Sequence, residues 1–399
     1  MIGSGIFVSP QGVLQRTQSV GLSLLVWGLC GVLSLLGALC YVELGCLLPS
    51  SGGEHTYFMT TFGGLPAFLF AWVTIILLKP AMLAIICLSF SKYLVEAFAD
   101  DCQPPRLAIQ LLAILTIVLI TFINSYSVAL ATKVQNVFTA AKLLAILVIV
   151  AGGIYKLAQG NTQYLATGFT GTTNRIGDVA TAFYSGLWAY DGWNNLNYVT
   201  EELKKPYVNL PRAIIIGIPT VTLCYMLVNI SYLAVMSQDE LLASETVAVV
   251  FGEALLGRAG QLCMILAVVL STFGAANGSA FTSARLCFVA AREGHMVDVL
   301  SFVHVHKKTP STALIFNAII ALLMIIPSDI ASLIDFFSFT AWIFYGGAMV
   351  ALLVLRRTRP HAYRPYKVPI VIPVIVLVVA IYLVIGPIID NPQIEYLYA

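Results

Sequence analysis

Charge is scarce in this sequence. Lys, Arg, Asp and Glu together supply 10% of its 399 residues, where soluble globular domains carry about 25%. That deficit, with 59% hydrophobic residues and a mean hydropathy of +0.91, excludes an ordinary soluble domain and indicates a polytopic membrane protein. A net charge of +2 without any basic tract excludes a nucleic-acid binder. Zinc-type and redox-type cysteine spacings are missing, so no metal is expected. No span holds paired carboxylates, a Ser-His pair or a His cluster of ligand spacing; the chain reads as neither an enzyme nor a cofactor carrier. The N-terminus lacks a basic leader and a cleavage site, so the expectation is that no signal peptide is removed and the first full span drives insertion. Asn-x-Ser/Thr occurs only at Asn229-Ile230-Ser231 and Asn277-Gly278-Ser279, both within spans, so the chain itself is expected to carry no glycan.

Long apolar runs are what the sequence has in abundance. A transmembrane helix needs about 20 residues, and such runs occupy roughly 20–48, 65–91, 107–123, 134–154, 177–198, 213–236, 260–284, 311–327, 332–355 and 368–388. Residues 1–8 read as the outer half of a further span. The fold class is therefore all-α and polytopic, with ten spans and a half. Lys79-Pro80 falls inside one run, where the proline removes a backbone bond and bends the helix.

Lys and Arg are enriched in cytoplasmic loops. One set of alternate loops holds Lys133; Lys204, Lys205 and Arg212; Arg285, Arg292, Lys307 and Lys308; and Arg356, Arg357, Arg359, Arg364 and Lys367. The other holds Arg16, Arg106, Lys156, Arg175 and Arg258. Thirteen against five puts the first set in the cytoplasm. Seven of the eight cysteines lie in or beside apolar runs, as small hydrophobes. Cys102 is the exception, in the loop Asp100–Pro105 on the outer side. An unpaired loop cysteine in an oxidising compartment suggests an intermolecular disulfide.

Glycines and an acid stand where lipid tolerates them least. The stretch Gly186–Asn194 carries Asp191 between Gly186 and Gly192 within a run that otherwise reads as a span. A helix opens at such depth only where its freed groups meet protein, water or a ligand, and an intramembrane carboxylate marks function. Gly3-Ser4-Gly5 interrupts the first segment in the same way. These two breaks open two halves of about five spans each, and an odd number inverts the second half, the arrangement of many secondary transporters. Amides of Gly3, Ser4 and Gly5 are then placed to bind a carboxylate, and carbonyls freed after Gly186 to accept from an ammonium. Together they fit an α-amino acid.

Two cations lie deep in spans. Lys142 is about eight residues from its cytoplasmic end, roughly 12 Å along a helix, so it is either a fixed charge standing in for a bound cation or a structural partner for carbonyls. Lys79 reads as a substrate gate, the partner of an acid, or packing at the Pro80 bend. Glu43 and Asp335 lie near span ends and read as interfacial caps.

Five motifs carry a family resemblance: Ile2–Pro10, Ser51-Gly52-Gly53-Glu54, Trp188–Asn194, Thr200-Glu201-Glu202 and Arg292-Glu293-Gly294-His295. Running across nearly the whole chain, they resemble the light, transporting subunits of heteromeric amino acid transporters, of the APC superfamily with the LeuT-type fold. The Trp188–Asn194 stretch looks most like the cystine and dibasic amino acid exchangers, since members specific for neutral substrates usually have glycine at the position of Asp191. The resemblance implies a 5+5 inverted repeat, with residues 1–155 as the first half, 174–356 as the second and 366–399 as one further span. It implies truncation at both ends, because the family has an inner half-helix before Ile2 and a final span after Ala399. Sodium-independent exchange of cationic amino acids and cystine for neutral ones is the implied activity. Substrate would meet Ile2, Gly3, Ser4, Gly5, Trp188, Ala189, Asp191 and Asn194, with Lys142 where sodium-coupled relatives bind a cation. Cys102 matches the cysteine joined to a single-span, glycosylated heavy chain at the plasma membrane.

Overall fold

The structure is a computed structural model that describes residues 1–98, 105–244, 246–326 and 330–390. Among the described residues all regular structure is helical. α1 (Gly5–Thr17) leads into α2 (Val20–Leu47), whose start is fixed by Ser19 accepting from Leu22 N, an N-cap that satisfies an otherwise unpaired amide. α3 (Glu54–Phe62) is a short helix between spans. α4 (Gly64–Val73) passes through a π-helical turn, Thr74–Leu78, into α5 (Lys79–Glu96). The wider turn sits immediately before Pro80, the residue without an amide hydrogen, and accommodates the bend expected there.

The chain continues through α6 (Arg106–Tyr126), α7 (Val128–Ala158) and α8 (Ile176–Tyr190), then a 3-10 segment at Asn195–Glu202. α9 (Pro206–Val235) precedes the short α10 (Gln238–Ala243), and α11 (Val247–Arg292) is kinked where Leu256 and Gly257 leave helical geometry. α12 (Ser311–Ile325), α13 (Ile330–Thr358) and α14 (Val371–Asp390) complete it. Eight of these segments are long and apolar enough to cross a bilayer. The chain is a multi-pass membrane protein.

Burial sorts the spans into centre and perimeter. The apolar windows of α4–α5 and α13 are 72% and 67% buried, whereas those of α6, α7 and α14 are 28% buried and turn most of their surface to lipid. α1 and α8 pack against each other beside α2.

Glu43 is not an interfacial cap. It is fully buried, accepts from Arg356 Nε at 3.0 Å and from Val368 N at 2.8 Å, and has Arg364 Nε at 3.4 Å. A carboxylate inside the bundle is costly unless it is paired in this way. Asp335 does lie near a span end, where Arg16 pairs with it at 2.6 Å and joins α13 to the end of α1.

Candidate functional site

The start of α1 and the carboxyl end of α8 meet inside the bundle. α1 starts at Gly5; Phe7 N and Val8 N donate to Ser4 O at 3.0 and 3.1 Å, while among the described residues the amides of Gly5 and Ile6 donate to no backbone carbonyl. Gly5 touches α8 so closely that an added Cβ would lie 2.4 Å from Ala189 Cα, a separation only glycine permits. α8 ends at Tyr190: Asp191 adopts φ −56° and ψ 153°, and Gly192 takes φ +95°, the left-handed region that favours glycine. Tyr225 joins the two breaks, donating to the carbonyls of Ala189 at 2.9 Å and Met1 at 3.1 Å.

Between them lies a cavity of about 120 Å³. From α1 and the residues before it come Ile2, Gly3, Ser4 and Gly5, and from the end of α8 come Trp188, Ala189 and Asp191. Lys142 enters from α7 and donates to Ile2 O at 2.8 Å. Trp188 presents a buried indole N–H that has no hydrogen-bond partner among the described residues. Asp191 is 9% exposed and accepts from Tyr345 OH at 2.9 Å. The wall thus combines the amino end of α1, one carboxylate and one side-chain ammonium.

A buried polar network lies next to this wall. Asn194 donates to Glu54 Oε1 at 2.9 Å, and Tyr41 donates to the same oxygen at 2.9 Å. Asn197 ties α2 to α3, donating to Tyr41 O and Tyr57 OH at 2.8 Å each. Lys79 sits over the Tyr198 ring, 4.7 Å from its centroid.

The profile of one family, described as amino acid permease, matches residues 1–397. The chain belongs to the amino acid permease family. Relatives of this permease are similar along its whole length. The b(0,+)-type amino acid transporter 1 is 53% identical in Mus musculus and 52% in Homo sapiens, over 398 residues that span all of this chain and 82% of each relative. The large neutral amino acids transporter small subunit 2 of Mus musculus is 46% identical over 395 residues, 98% of this chain and 74% of that relative. The light-subunit resemblance and the all-α polytopic fold stand on these matches, and the family is one of transporters rather than enzymes.

Within the permease, Ile2, Gly3, Ser4, Gly5, Trp188, Ala189, Asp191 and Lys142 are brought together around one cavity. Asn194 and Lys79 stand behind it, Asn194 with its amide spent on Glu54. The break after Gly186 is not found. α8 runs unbroken through Gly186, whose missing side chain lets Cys30 Sγ approach to 2.7 Å of the Cβ position. That glycine is a packing contact, and the opening falls five residues later, at Asp191-Gly192. Sequence reasoning missed Tyr345, Glu54, Gln135, Asn195, Ser279 and Thr282. Only Glu54 stood in a recognisable motif. Cys102 lies outside the described residues.

Proposed function

We propose that this permease exchanges cationic amino acids and cystine for neutral amino acids by alternating access, without sodium, as the light subunit of a plasma-membrane heterodimer. The observation that carries the reading is a buried carboxylate, Asp191, which lines the same cavity as the first residues of α1 from the end of α8. Helix N-terminal amides attract the substrate carboxylate, and the carbonyl end of α8 attracts its ammonium. Asp191 remains for a cationic side chain, or for the second ammonium of cystine. The b(0,+)-type relatives support this substrate range by their similarity over the full chain.

Lys142 places its ammonium against the carbonyl of Ile2, the place where a sodium-coupled transporter of this architecture would need a cation. In this reading residues 1–155 and 174–356 are the two inverted halves, with α14 a further span. A heavy chain joins through Cys102, and Cys102→Ser removes the reducible high-mass band on gels.

Uptake by proteoliposomes tests the proposal. Radiolabelled arginine should enter vesicles preloaded with leucine much faster than empty ones, with sodium or without it. Equal uptake into loaded and empty vesicles would indicate a channel, and uptake of leucine but not arginine would indicate an exchanger of neutral substrates only.

A further inference from the structure

The loop between α13 and α14 carries charge of one sign. Residues 356–370 include Arg356, Arg357, Arg359, Arg364 and Lys367 but no Asp or Glu. Part of this loop closes around an open crevice of about 620 Å³ whose charged walls are Arg356, Arg364 and Lys367. Buried Glu43 sets the geometry by holding Arg356 and Arg364 from below. Arg364 is fixed further by donating to Arg359 O at 3.1 Å and to Leu355 O at 3.0 Å. The two guanidinium groups of the crevice are therefore held in place before any ligand arrives.

One carboxylate facing two guanidinium groups leaves a net positive charge, and exposed Lys367 adds a second. Among the described residues, Nη1 of Arg356 and Nζ of Lys367 make no hydrogen bond, and Lys367 has no carboxylate within ion-pair distance. The other side of the crevice is apolar. Ile370 lines it, and Ile370, Val371, Val374 and Ile375 are 59%, 60%, 44% and 44% exposed along the lipid-facing start of α14. Positive charge with free donors, meeting a lipid-facing apolar surface, is complementary to an amphiphile with an anionic head. A soluble anion would use only the first of these two features.

We propose that this crevice binds the phosphorylated head group of an anionic phospholipid of the cytoplasmic leaflet, with the acyl chains lying along α14. The loop belongs to the positively charged, cytoplasmic set, and basic pockets beside transmembrane helices on that side suit such head groups. Phosphomonoester oxygens accept from Arg356 Nη1 and Lys367 Nζ, while Glu43 and the carbonyls of Val368, Arg359 and Leu355 hold the two guanidinium groups in place. Binding would fasten the end of α13 to the start of α14 and to α2.

The test uses the purified full-length chain in neutral detergent, with a short-chain phosphatidylinositol bisphosphate as probe and thermal stabilisation as readout. Short-chain phosphatidylcholine and free inositol trisphosphate are the two comparison ligands. The bisphosphate lipid should stabilise the protein and phosphatidylcholine should not. Lys367→Gln, which alters an exposed side chain without internal bonds, should weaken binding about fivefold, the effect of one surface cation worth about 1 kcal/mol. Arg359→Gln, which removes a loop cation outside the crevice walls, should leave binding nearly unchanged. Equal weakening by both variants would show diffuse attraction by the loop and overturn the site. Binding of inositol trisphosphate as tight as that of the lipid would overturn the lipid assignment, and absence of binding by all three would overturn both.

Discussion

Tyr345 donates its phenolic hydrogen to Oδ1 of Asp191 across 2.9 Å, joining α13 to the open end of α8. Asp191 accepts from Tyr345 while it is 9% exposed, so this hydroxyl offsets part of the cost of keeping a carboxylate inside the bundle. A cationic substrate brings a second source of compensation, and leucine does not. Loss of the hydroxyl should therefore hurt neutral substrates more than cationic ones. A hydrogen bond to a charged group is worth about 1.5–3 kcal/mol. Tyr345→Phe should accordingly raise the ratio of arginine to leucine uptake about tenfold, read from paired uptake curves. An unchanged ratio would mean that Tyr345 serves only packing.

Glycine at the α1–α8 crossing is a steric requirement. An added Cβ at Gly5 meets Ala189 Cα at 2.4 Å and one at Gly3 meets the Ala275 side chain at 3.0 Å. The first contact is with backbone and has nowhere to go, whereas the second relaxes by small shifts. Gly5→Ala should remove most protein from the cell surface. Gly3→Ala should reach the membrane and lower uptake of all substrates together, because the amides beside it address the carboxylate that every amino acid has. Surface biotinylation with uptake of arginine and leucine checks both, and a loss confined to one substrate class would assign side-chain reading to this segment.

Outside the spans, His55 on α3 is 1% exposed and lies 2.9 Å, Nε2 to Nδ1, from His295 beyond α11. Burial, and secondarily the neighbouring imidazole, lower its pKa from 6.5 to about 4. The unfolded chain binds this proton below about pH 6.5 and the folded chain binds it only near pH 4, so stability contributed here is present above 6.5 and lost as pH falls toward 4. Melting temperature should drop across that window, and His55→Gln should flatten the drop. A pH profile unchanged by the substitution would place the acid sensitivity elsewhere.

Hydropathy made the spans legible. Among the described residues each of the ten expected runs lies mainly on helix, because apolar sequence in lipid leaves the backbone little other choice. The run 177–198 leaves helical geometry after Tyr190, however, and eight helical segments rather than ten are long and apolar enough to cross a bilayer. The site was legible in part. Gly3, Gly5, Lys142 and Asp191 stood out as residues costly at membrane depth, and they do converge. The position of the break was not legible: Gly186 and Gly192 look alike in sequence, and only the packing of Cys30 against one and the positive φ of the other tell them apart. Asn194 was assigned to substrate with its motif, but Glu54, 140 positions away in sequence, takes its amide. Tyr345, Gln135, Ser279 and Thr282 stayed hidden because a polar residue in a long span gives no sign of which neighbour it faces. A capping box at Ser237 and Glu240 starts α10; its Ser-x-x-Glu pattern was present in the sequence and went unread.

Asp191→Asn puts the central claim to its most direct test. The substitution keeps the volume and the bond from Tyr345 while removing the charge. Uptake of radiolabelled arginine and leucine by proteoliposomes, normalised to inserted protein, should show arginine falling by more than about tenfold, at least roughly 1.4 kcal/mol, with leucine changed much less. Equal loss of arginine and leucine would instead mean that Asp191 only holds the fold together, and would contradict its role in selecting cationic substrates.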